Sequence, residues 1–225
     1  MLKCQNLKKS YKEKCVVNNL CFQVNKGEVF ALLGANGAGK TTTIKMILGL
    51  VKKDEGEITL EEGMKIGYSP DTPFFPPFLT GREALNYYGK LQKIPKKELS
   101  PIITELLETV GLDDDKTKIK NYSKGMLQRL AFAQALLGEP DFLILDEPTA
   151  GLDALGRIEM MELIGRLKRS GKTILLNSHI LNDIERVCDR GIIMKKGKTL
   201  GTWSKEQDYG GKSLEEIFVE LVGAN

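Results

Sequence analysis

The chain has 225 residues, of which 41% are hydrophobic, so it is long enough to bury a sizeable core. Its 33 basic and 30 acidic side chains leave a net charge of only +3. This balance excludes the strong positive field of a nucleic-acid-binding surface, so we expect no nucleic-acid partner. The four cysteines lack CxxC spacing, which indicates reduced thiols rather than a disulfide framework or a metal site.

The sequence gives no sign of a membrane segment of its own. The opening residues, MLKCQNLKK, contain no apolar core of a signal peptide. No uninterrupted apolar run reaches the roughly 18 residues that a spanning helix needs. We therefore expect a cytoplasmic location.

The first part of the chain predicts strands, and then a strand that leads into a helix. Between residues 2 and 29, short alternating runs broken by polar turns are typical of an antiparallel sheet. Residues 29–33 form a continuous apolar run, as in a buried parallel strand, and residues 44–48 then follow a helical period. Two further strands are expected at residues 57–60 and 65–68.

The composition changes in the middle of the chain. Residues 69–77 contain four prolines and two phenylalanines, which precludes regular structure. This apolar stretch is either a packed connector or a docking surface for a partner. From about residue 80 to residue 138 the periodicity is helical, which predicts a helical lobe inserted between strands of the core.

Strands and helices alternate over the rest of the chain. Apolar runs and periodicities predict, in order, strand 142–145, helix 157–167, strand 173–176, helix 181–188, hairpin 192–200 and helix 213–222. This alternation predicts an α/β protein with a mostly parallel sheet covered by helices. We expect one domain over residues 1–225, with an N-terminal antiparallel β subdomain and the inserted helical lobe.

A phosphate-binding loop is predicted at residues 34–42, GANGAGKTT, between the buried strand and its helix. Glycines let backbone N–H groups surround an anion, and the helix adds the positive end of its dipole. Lys40 is expected to reach the β- and γ-phosphates, and the Thr41 hydroxyl to bind Mg²⁺. The residues expected to bind the nucleotide here are Gly34, Asn36, Gly37, Ala38, Gly39, Lys40, Thr41 and Thr42. The alternative is a glycine-rich turn that caps a helix and binds nothing.

An acidic pair, Asp146 and Glu147, follows the apolar run 142–145. A buried parallel strand delivers such residues to the carboxyl edge of the sheet, where α/β proteins bind their ligands. We expect Asp146 to hold Mg²⁺ with Thr41, and Glu147 to deprotonate an attacking water. The alternative is a helix-capping acidic pair, for which the following Pro148 is poorly suited.

Two single residues add to this interpretation. His179, the only histidine, follows the apolar run 173–176, so we expect it at the same sheet edge, in contact with the γ-phosphate or the water. Its alternative is an ordinary surface or core histidine. Tyr11, in a polar loop, offers a flat ring on which adenine can stack, although single surface aromatics are common.

A second helix start is predicted at YSKGMLQR, residues 122–129, with Ser123 as its N-cap. The donors and dipole of such a helix form a second anion site. Because the chain already has one phosphate loop, the second site is expected to face a different nucleotide. A plain capped helix is the alternative.

Together these segments resemble the ATP-binding subunit of ABC transporters over nearly the whole chain. Residues 34–42 look like the Walker A motif, residues 142–148 like Walker B, and residues 122–129 like the ABC signature that separates this family from other P-loop ATPases. The resemblance implies a P-loop NTPase core that uses ATP and Mg²⁺.

Three further positions extend the resemblance. AGLD at residues 150–153 is similar to the D-loop, His179 to the switch histidine and Tyr11 to the A-loop aromatic. The resemblance also implies nucleotide contacts from the signature and the D-loop, at Ser123, Gly125 and Asp153.

The sequence departs from the family pattern in two segments, at Asp71 and in the signature. Asp71 stands where the family usually has glutamine, and a carboxylate there is expected to meet Mg²⁺ or water while it adds negative charge near the triphosphate. In the signature, Lys124 and Met126 replace the usual glycine and glutamine, although Ser123 and Gly125 remain.

The resemblance implies a homodimer or heterodimer of ATP-binding subunits. Each ATP would lie between Gly34–Thr42 of one subunit and Ser123–Gly125 of the other, and ATP would close the dimer. Since the chain has no predicted span, it would power a separate transmembrane permease from the cytoplasmic face of the membrane. We expect docking near residues 70–79 and the helical lobe, with Phe74 and Phe75 as contacts.

The short chain and the SKGM signature resemble exporter subunits of the ABC-2 type. The alternative function is a soluble ABC ATPase, such as one for iron–sulfur cluster assembly. DNA- or ribosome-associated ABC proteins need long coiled coils or two nucleotide domains, which this sequence does not show.

Overall fold

The computed structural model describes residues 1–207 and 209–223, and the chain divides into two compact units. The first unit comprises Met1–Met64 and the residues from Thr173 onward, and the second comprises Lys65–Lys172. The single domain expected over residues 1–225 remains a prediction.

The elements follow the predicted order. The strands are β1 (Leu2–Tyr11), β2 (Lys14–Val24), β3 (Val29–Gly34), β4 (Glu55–Leu60), β5 (Ile66–Ser69), β6 (Phe142–Asp146), β7 (Thr173–Asn177), β8 (Arg190–Lys195) and β9 (Lys198–Ser204). The helices are α1 (Lys40–Ile47), α2 (Gly81–Leu91), α3 (Lys96–Thr109), α4 (Lys124–Leu136), α5 (Ala154–Arg169), α6 (Leu181–Val187) and α7 (Leu214–Gly223). A short 3-10 turn, Ile119–Asn121, precedes α4.

An antiparallel sheet opens the first unit, with strand order β2-β1-β4. Leu2 and Cys4 of β1 are buried while Lys3 and Gln5 face solvent, which is the alternation of a half-buried strand. A register shift after Cys4 makes Leu7 the next buried residue. The antiparallel N-terminal sheet is therefore confirmed. The loop predicted around Tyr11 is wrong, because β1 continues through Tyr11 and pairs it with Lys14 of β2.

The core of the first unit is a second sheet in which β3 is central. β3 pairs in parallel with β7 on one side and β8 on the other, and β9 pairs antiparallel with β8. Every residue of β3 and β7 is buried, which explains why both strands are continuous apolar runs. The parallel register places Leu32 beside Asn177, so both strands end at the same edge.

The second unit contains the parallel pair β5–β6 and the helices α2 to α5. Gly67 of β5 has no room for a Cβ because the Ala135 carbonyl oxygen lies there, so α4 packs directly on the strand. Residues 70–79 form neither helix nor strand, as the prolines predict. Within residues 1–207 and 209–223, no helix is long and apolar enough to cross a bilayer. The α/β architecture with a mostly parallel sheet is confirmed.

Candidate nucleotide site

The loop from Gly34 to Gly39 joins β3 to α1 and defines the first part of the site. Gly39 is the N-cap of α1 and has a φ of 103°, in the region that favours glycine. A Cβ at Gly39 would also lie 2.6 Å from the Val16 carbonyl oxygen, so only glycine fits. At Gly37, with a φ of 81°, the Cβ position faces open space. The backbone thus forms a tight turn with one open side, which is the shape that a phosphate group requires.

Lys40 points back across this loop. Its side chain is 5% exposed, and its Nζ donates to the carbonyl oxygens of Gly34, at 2.6 Å, and Ala35, at 3.3 Å. These bonds hold the ammonium group against the backbone of the loop, where two neutral carbonyl oxygens are among its acceptors. A phosphate oxygen would be a stronger, charge-assisted acceptor for the same group.

The other predicted loop residues surround this turn. Asn36 and Gly37 are exposed and Ala38 is buried, while Thr41 and Thr42 are half-buried in the first turn of α1. The glycine N-cap places no side chain over the N-terminus of α1, where the backbone amides and the helix dipole favour an anion.

Tyr11 and His179 also belong to the first unit. The Tyr11 ring is 47% exposed at the end of β1, with the Lys9 Nζ 5.4 Å from the ring centroid. His179 is exposed and lies two residues beyond β7, so it follows the strand edge that β3 shares. An exposed ring and an exposed imidazole are both in a position to contact a ligand.

The acidic residues of the second unit end β6. Asp146 is fully buried, and Glu147, 9% exposed, has a φ of 53°. The Ala150 amide donates to the Glu147 carbonyl oxygen at 3.0 Å. A non-glycine residue in the left-handed region costs on the order of 1 kcal/mol and persists only where its surroundings hold it.

Asp71 lies two residues beyond β5, which pairs in parallel with β6. Burial is the main cause that raises the pKa of Tyr68 to about 12, and the negative charges of Asp146 and Asp71 contribute to the same rise. The two carboxylates therefore act on one phenol. Tyr68 keeps its proton at neutral pH, so it adds no third negative charge.

The signature segment and the D-loop contact each other. Ser123 is exposed and caps α4, its Oγ accepting from the Met126 amide at 3.1 Å. A Cβ at Gly125 would lie 3.2 Å from the Leu152 side chain. A Cβ at Gly151 would lie 2.6 Å from carbons of the Lys124 side chain, so the lysine that replaces the family glycine covers the D-loop.

Asp153, the last residue of the D-loop, is exposed and caps α5. Its Oδ1 accepts from the Gly156 amide at 2.8 Å. Asp153 therefore has a structural role as the N-cap of α5, which the sequence did not predict.

Gln128 is a site residue that sequence reasoning missed. Its side chain in α4 is fully buried, and its Nε2 lies 3.4 Å from the Glu147 carbonyl oxygen and 3.5 Å from that of Pro70. Its burial could have been predicted from the sequence, because Gln128 lies three and four residues before Ala131 and Phe132, on the same face of the predicted helix.

The aromatic stretch before α2 has two kinds of phenylalanine. Phe74 and Phe78 are 85% and 70% exposed. Phe75 is only 6% exposed and packs edge-to-face on Tyr88, with ring centroids 6.0 Å apart. The expectation that Phe75 is a docking residue is wrong, because its ring belongs to the packing of this unit.

Each of the two units contains an oxygen ligand of the kind that binds Mg²⁺ together with a nucleotide. Among the residues that the structure describes, no group of three or more His, Cys, Asp or Glu side chains forms a metal cage. Mg²⁺ prefers oxygen ligands and usually combines one or two carboxylates with waters and substrate phosphates. The Thr41 hydroxyl and the Asp146 carboxylate are ligands of this kind.

Several known proteins are similar in sequence to this chain. A family model described as ABC transporter matches residues 17–150. The ABC transporter ATP-binding protein YxlF of Bacillus subtilis, itself uncharacterised, is 44% identical over 99% of the chain and 77% of its own length. The lantibiotic transport ATP-binding protein SrtF of Streptococcus pyogenes is 39% identical over 97% of the chain and 96% of its own length. Another relative, an uncharacterised ABC transporter ATP-binding protein from Synechocystis, is 42% identical over 89% of the chain. The chain spans only 60% of the length of that relative.

Solved structures show the same fold. An ATP-binding subunit of an ABC transporter superposes with a TM-score of 0.89 at 33% identity, covering 99% of both chains. A dimeric ATP-binding cassette in a post-hydrolysis state, bound to ADP and phosphate, superposes with a TM-score of 0.84 at 25% identity, covering 92% of this chain and all of the other.

Proposed function

Because the chain belongs to the ABC transporter family, we propose that it binds and hydrolyses ATP to power a separate membrane permease. The observation that carries this proposal is the loop before α1, with its glycine N-cap and the Lys40 ammonium at its mouth. The family names of the relatives favour a transporter over the soluble iron–sulfur assembly ATPase that the sequence left open.

The nucleotide is bound mainly by the loop of the first unit. Backbone amides of residues 34–42 and the Lys40 ammonium hold the phosphates, and the exposed Tyr11 ring stacks on adenine. Thr41 and Asp146 would hold the Mg²⁺ that accompanies ATP, and Asp71 would contact the metal or its waters. When bound, Mg²⁺ neutralises charge that develops on the phosphates.

Hydrolysis depends on Glu147 and His179. Glu147 takes a proton from the attacking water, and the strained backbone at this residue supports a functional role. His179 donates to the γ-phosphate or orients the water. Lys40 and the loop amides stabilise the charge that builds up in the transition state.

A second copy, or a related subunit, completes each ATP site. Ser123 and Gly125 of one subunit contact the nucleotide held by the other, and Asp153 lies at the same interface. The exposure of Ser123 and the dimeric cassette among the similar structures support this arrangement. ATP favours the closed dimer because its γ-phosphate contacts both subunits.

The permease docks on the exposed aromatic residues of the second unit and holds the chain at the cytoplasmic face of the membrane. Phe74 and Phe78 are large apolar side chains in contact with solvent, a feature typical of an interaction surface. The relatives' names, which include lantibiotic transport and linearmycin resistance, support an exporter.

The docking surface is tested by replacing Phe74 and Phe78 with serine, alone and together, in membranes that contain the permease. ATPase activity of the purified chain should persist while transport is lost. The Phe75→Ser variant should instead lower the melting temperature, because a buried ring is removed. Normal transport in the Phe74→Ser/Phe78→Ser variant would place the docking surface elsewhere.

The whole proposal is tested with Glu147→Gln. This variant should bind ATP, hydrolyse it at least about 100-fold more slowly and elute as a dimer in ATP but not in ADP. The double variant Lys40→Ala/Glu147→Gln should elute as a monomer in ATP, because Lys40 holds the phosphates. Unchanged turnover in Glu147→Gln would remove Glu147 from the role of base.

A further inference from the structure

The buried amide of Gln128 connects two segments that matter for hydrolysis. Its side chain is fully inaccessible, although burying an amide is costly unless hydrogen bonds compensate. Its Nε2 lies 3.5 Å from the carbonyl oxygen of Pro70, the residue before Asp71, and 3.4 Å from that of Glu147. One amide thus contacts the backbone of the Asp71 loop and the backbone of the candidate base.

The orientation of this amide follows from its neighbours. An amide nitrogen has two hydrogens and the two carbonyl oxygens are both acceptors, so Nε2 must face them. A flipped amide would place Oε1 against both acceptors. As oriented, Oε1 is buried and accepts no hydrogen bond from the residues that the structure describes, so the contacts of Gln128 are made through Nε2.

The contact to Glu147 acts on a strained residue. The Glu147 carbonyl oxygen accepts from both the Ala150 amide, at 3.0 Å, and Gln128. Two donors on one carbonyl restrain the peptide plane that follows Glu147, the residue whose backbone has a left-handed φ of 53°. Strained backbone of this kind persists only where the surroundings over-determine it.

Both contacts of Gln128 are at the long limit of hydrogen bonding. A displacement of a few tenths of an ångström in either carbonyl would therefore strengthen or break one of them. Ser69, which precedes Pro70, is fully buried and its Oγ has no partner among the described residues, so this hydroxyl does not anchor the loop. The side chain of Gln128 therefore provides a route by which a movement of Pro70 can reach Glu147.

We propose that Gln128 is a positioning residue that ties the Asp71 loop to the backbone of Glu147, so that the position of the loop sets the alignment of the base. The inference rests on the proposed role of Glu147 in ATP hydrolysis. A purely structural role for Gln128, as an amide that only holds α4 in place, is the competing explanation.

The test replaces Gln128 with methionine, which keeps the length of the side chain and removes its donor. In the purified chain, kcat for ATP should fall about tenfold, while KM for ATP and the melting temperature stay near the wild-type values. Gln134→Met is the matched control on the same helix, about 9 Å further along the axis, and it should leave kcat unchanged. Gln128→Asn, which retains a shorter amide, should fold and give an intermediate kcat.

A double-variant cycle separates this inference from the proposed function. If Gln128 acts through Glu147, adding Gln128→Met to Glu147→Gln should slow hydrolysis by no more than about twofold. An equal fall of kcat with Gln134→Met, a full additive loss in the double variant, or wild-type kcat in Gln128→Met and Gln128→Asn would overturn the positioning role. Unchanged turnover in Glu147→Gln alone would instead overturn the role of the base.

Discussion

Two helices of this chain begin in opposite ways, although both are expected to meet phosphate. Helix α1 begins after Gly39, which has no side chain to accept from the first amides and a backbone that only glycine adopts easily. Helix α4 begins after Ser123, whose Oγ already accepts from the Met126 amide. Of these two N-termini, only the second therefore has a capping side chain as its acceptor. This difference fits the proposal that the phosphates of ATP bind at the N-terminus of α1 and that α4 of a second subunit contacts them from the other side.

The largest effect expected from this difference is at Lys40. Lys40→Ala removes the only side-chain ammonium that donates to the Gly34 carbonyl in the described loop, and ATPase activity should fall at least about 100-fold. ATP affinity should fall as well, which titration with a fluorescent nucleotide will measure. Lys45→Ala, in the last turn of the same helix and exposed, is the control and should bind ATP normally. Normal ATP affinity in Lys40→Ala would show that α1 is not the primary site.

A smaller effect is expected at Ser123, and it should be confined to the dimer. Ser123→Ala removes an N-cap and should cost about 1 kcal/mol of stability. Thr80→Ala removes the N-cap of α2, where the Thr80 side chain accepts from the Glu83 amide at 3.2 Å, and should cost about the same. ATP should bind both monomers normally, but only Ser123→Ala, placed in a Glu147→Gln background, should weaken the ATP-dependent dimer.

Gel filtration and thermal unfolding of Ser123→Ala and Thr80→Ala distinguish a general loss of stability from a loss of contact with the nucleotide of the other subunit. Equal loss of the dimer in both variants would mean that stability alone is responsible. Retention of the dimer in both would remove Ser123 from the second phosphate site.

The smallest effect is expected at Asp71. The charges of Asp71 and Asp146 both raise the pKa of Tyr68, so Asp71 contributes to the negative potential near the end of β6. Asp71→Gln removes that charge and restores the usual family residue, and steady-state ATPase activity should stay the same or rise. A tenfold or larger fall in activity would show that the carboxylate itself is required. Such a fall corresponds to an increase of about 1.4 kcal/mol in the activation free energy.

Much of the site was predictable because its parts are local in sequence. The phosphate loop depends on glycines at fixed spacing between an apolar run and a helix, and the Asp146-Glu147 pair directly follows a buried strand. Such patterns depend on backbone sterics and on the two-residue and 3.6-residue periods, which act within one element. The strand that ends at Tyr11 was missed for the opposite reason. Its polar sequence suits a loop, and pairing with β2 extends it.

The sequence by itself determined the α/β class, the order of the elements and the positions of the phosphate loop, the acidic pair and the signature, because these follow from periodicity and turn chemistry. Only the tertiary structure decided which of two neighbouring phenylalanines is buried, and that Gln128 contacts the backbone at Pro70 and Glu147. Those contacts join residues 58 and 19 positions apart in the chain. Packing across such distances depends on which faces of different elements meet, and no local pattern carries that information.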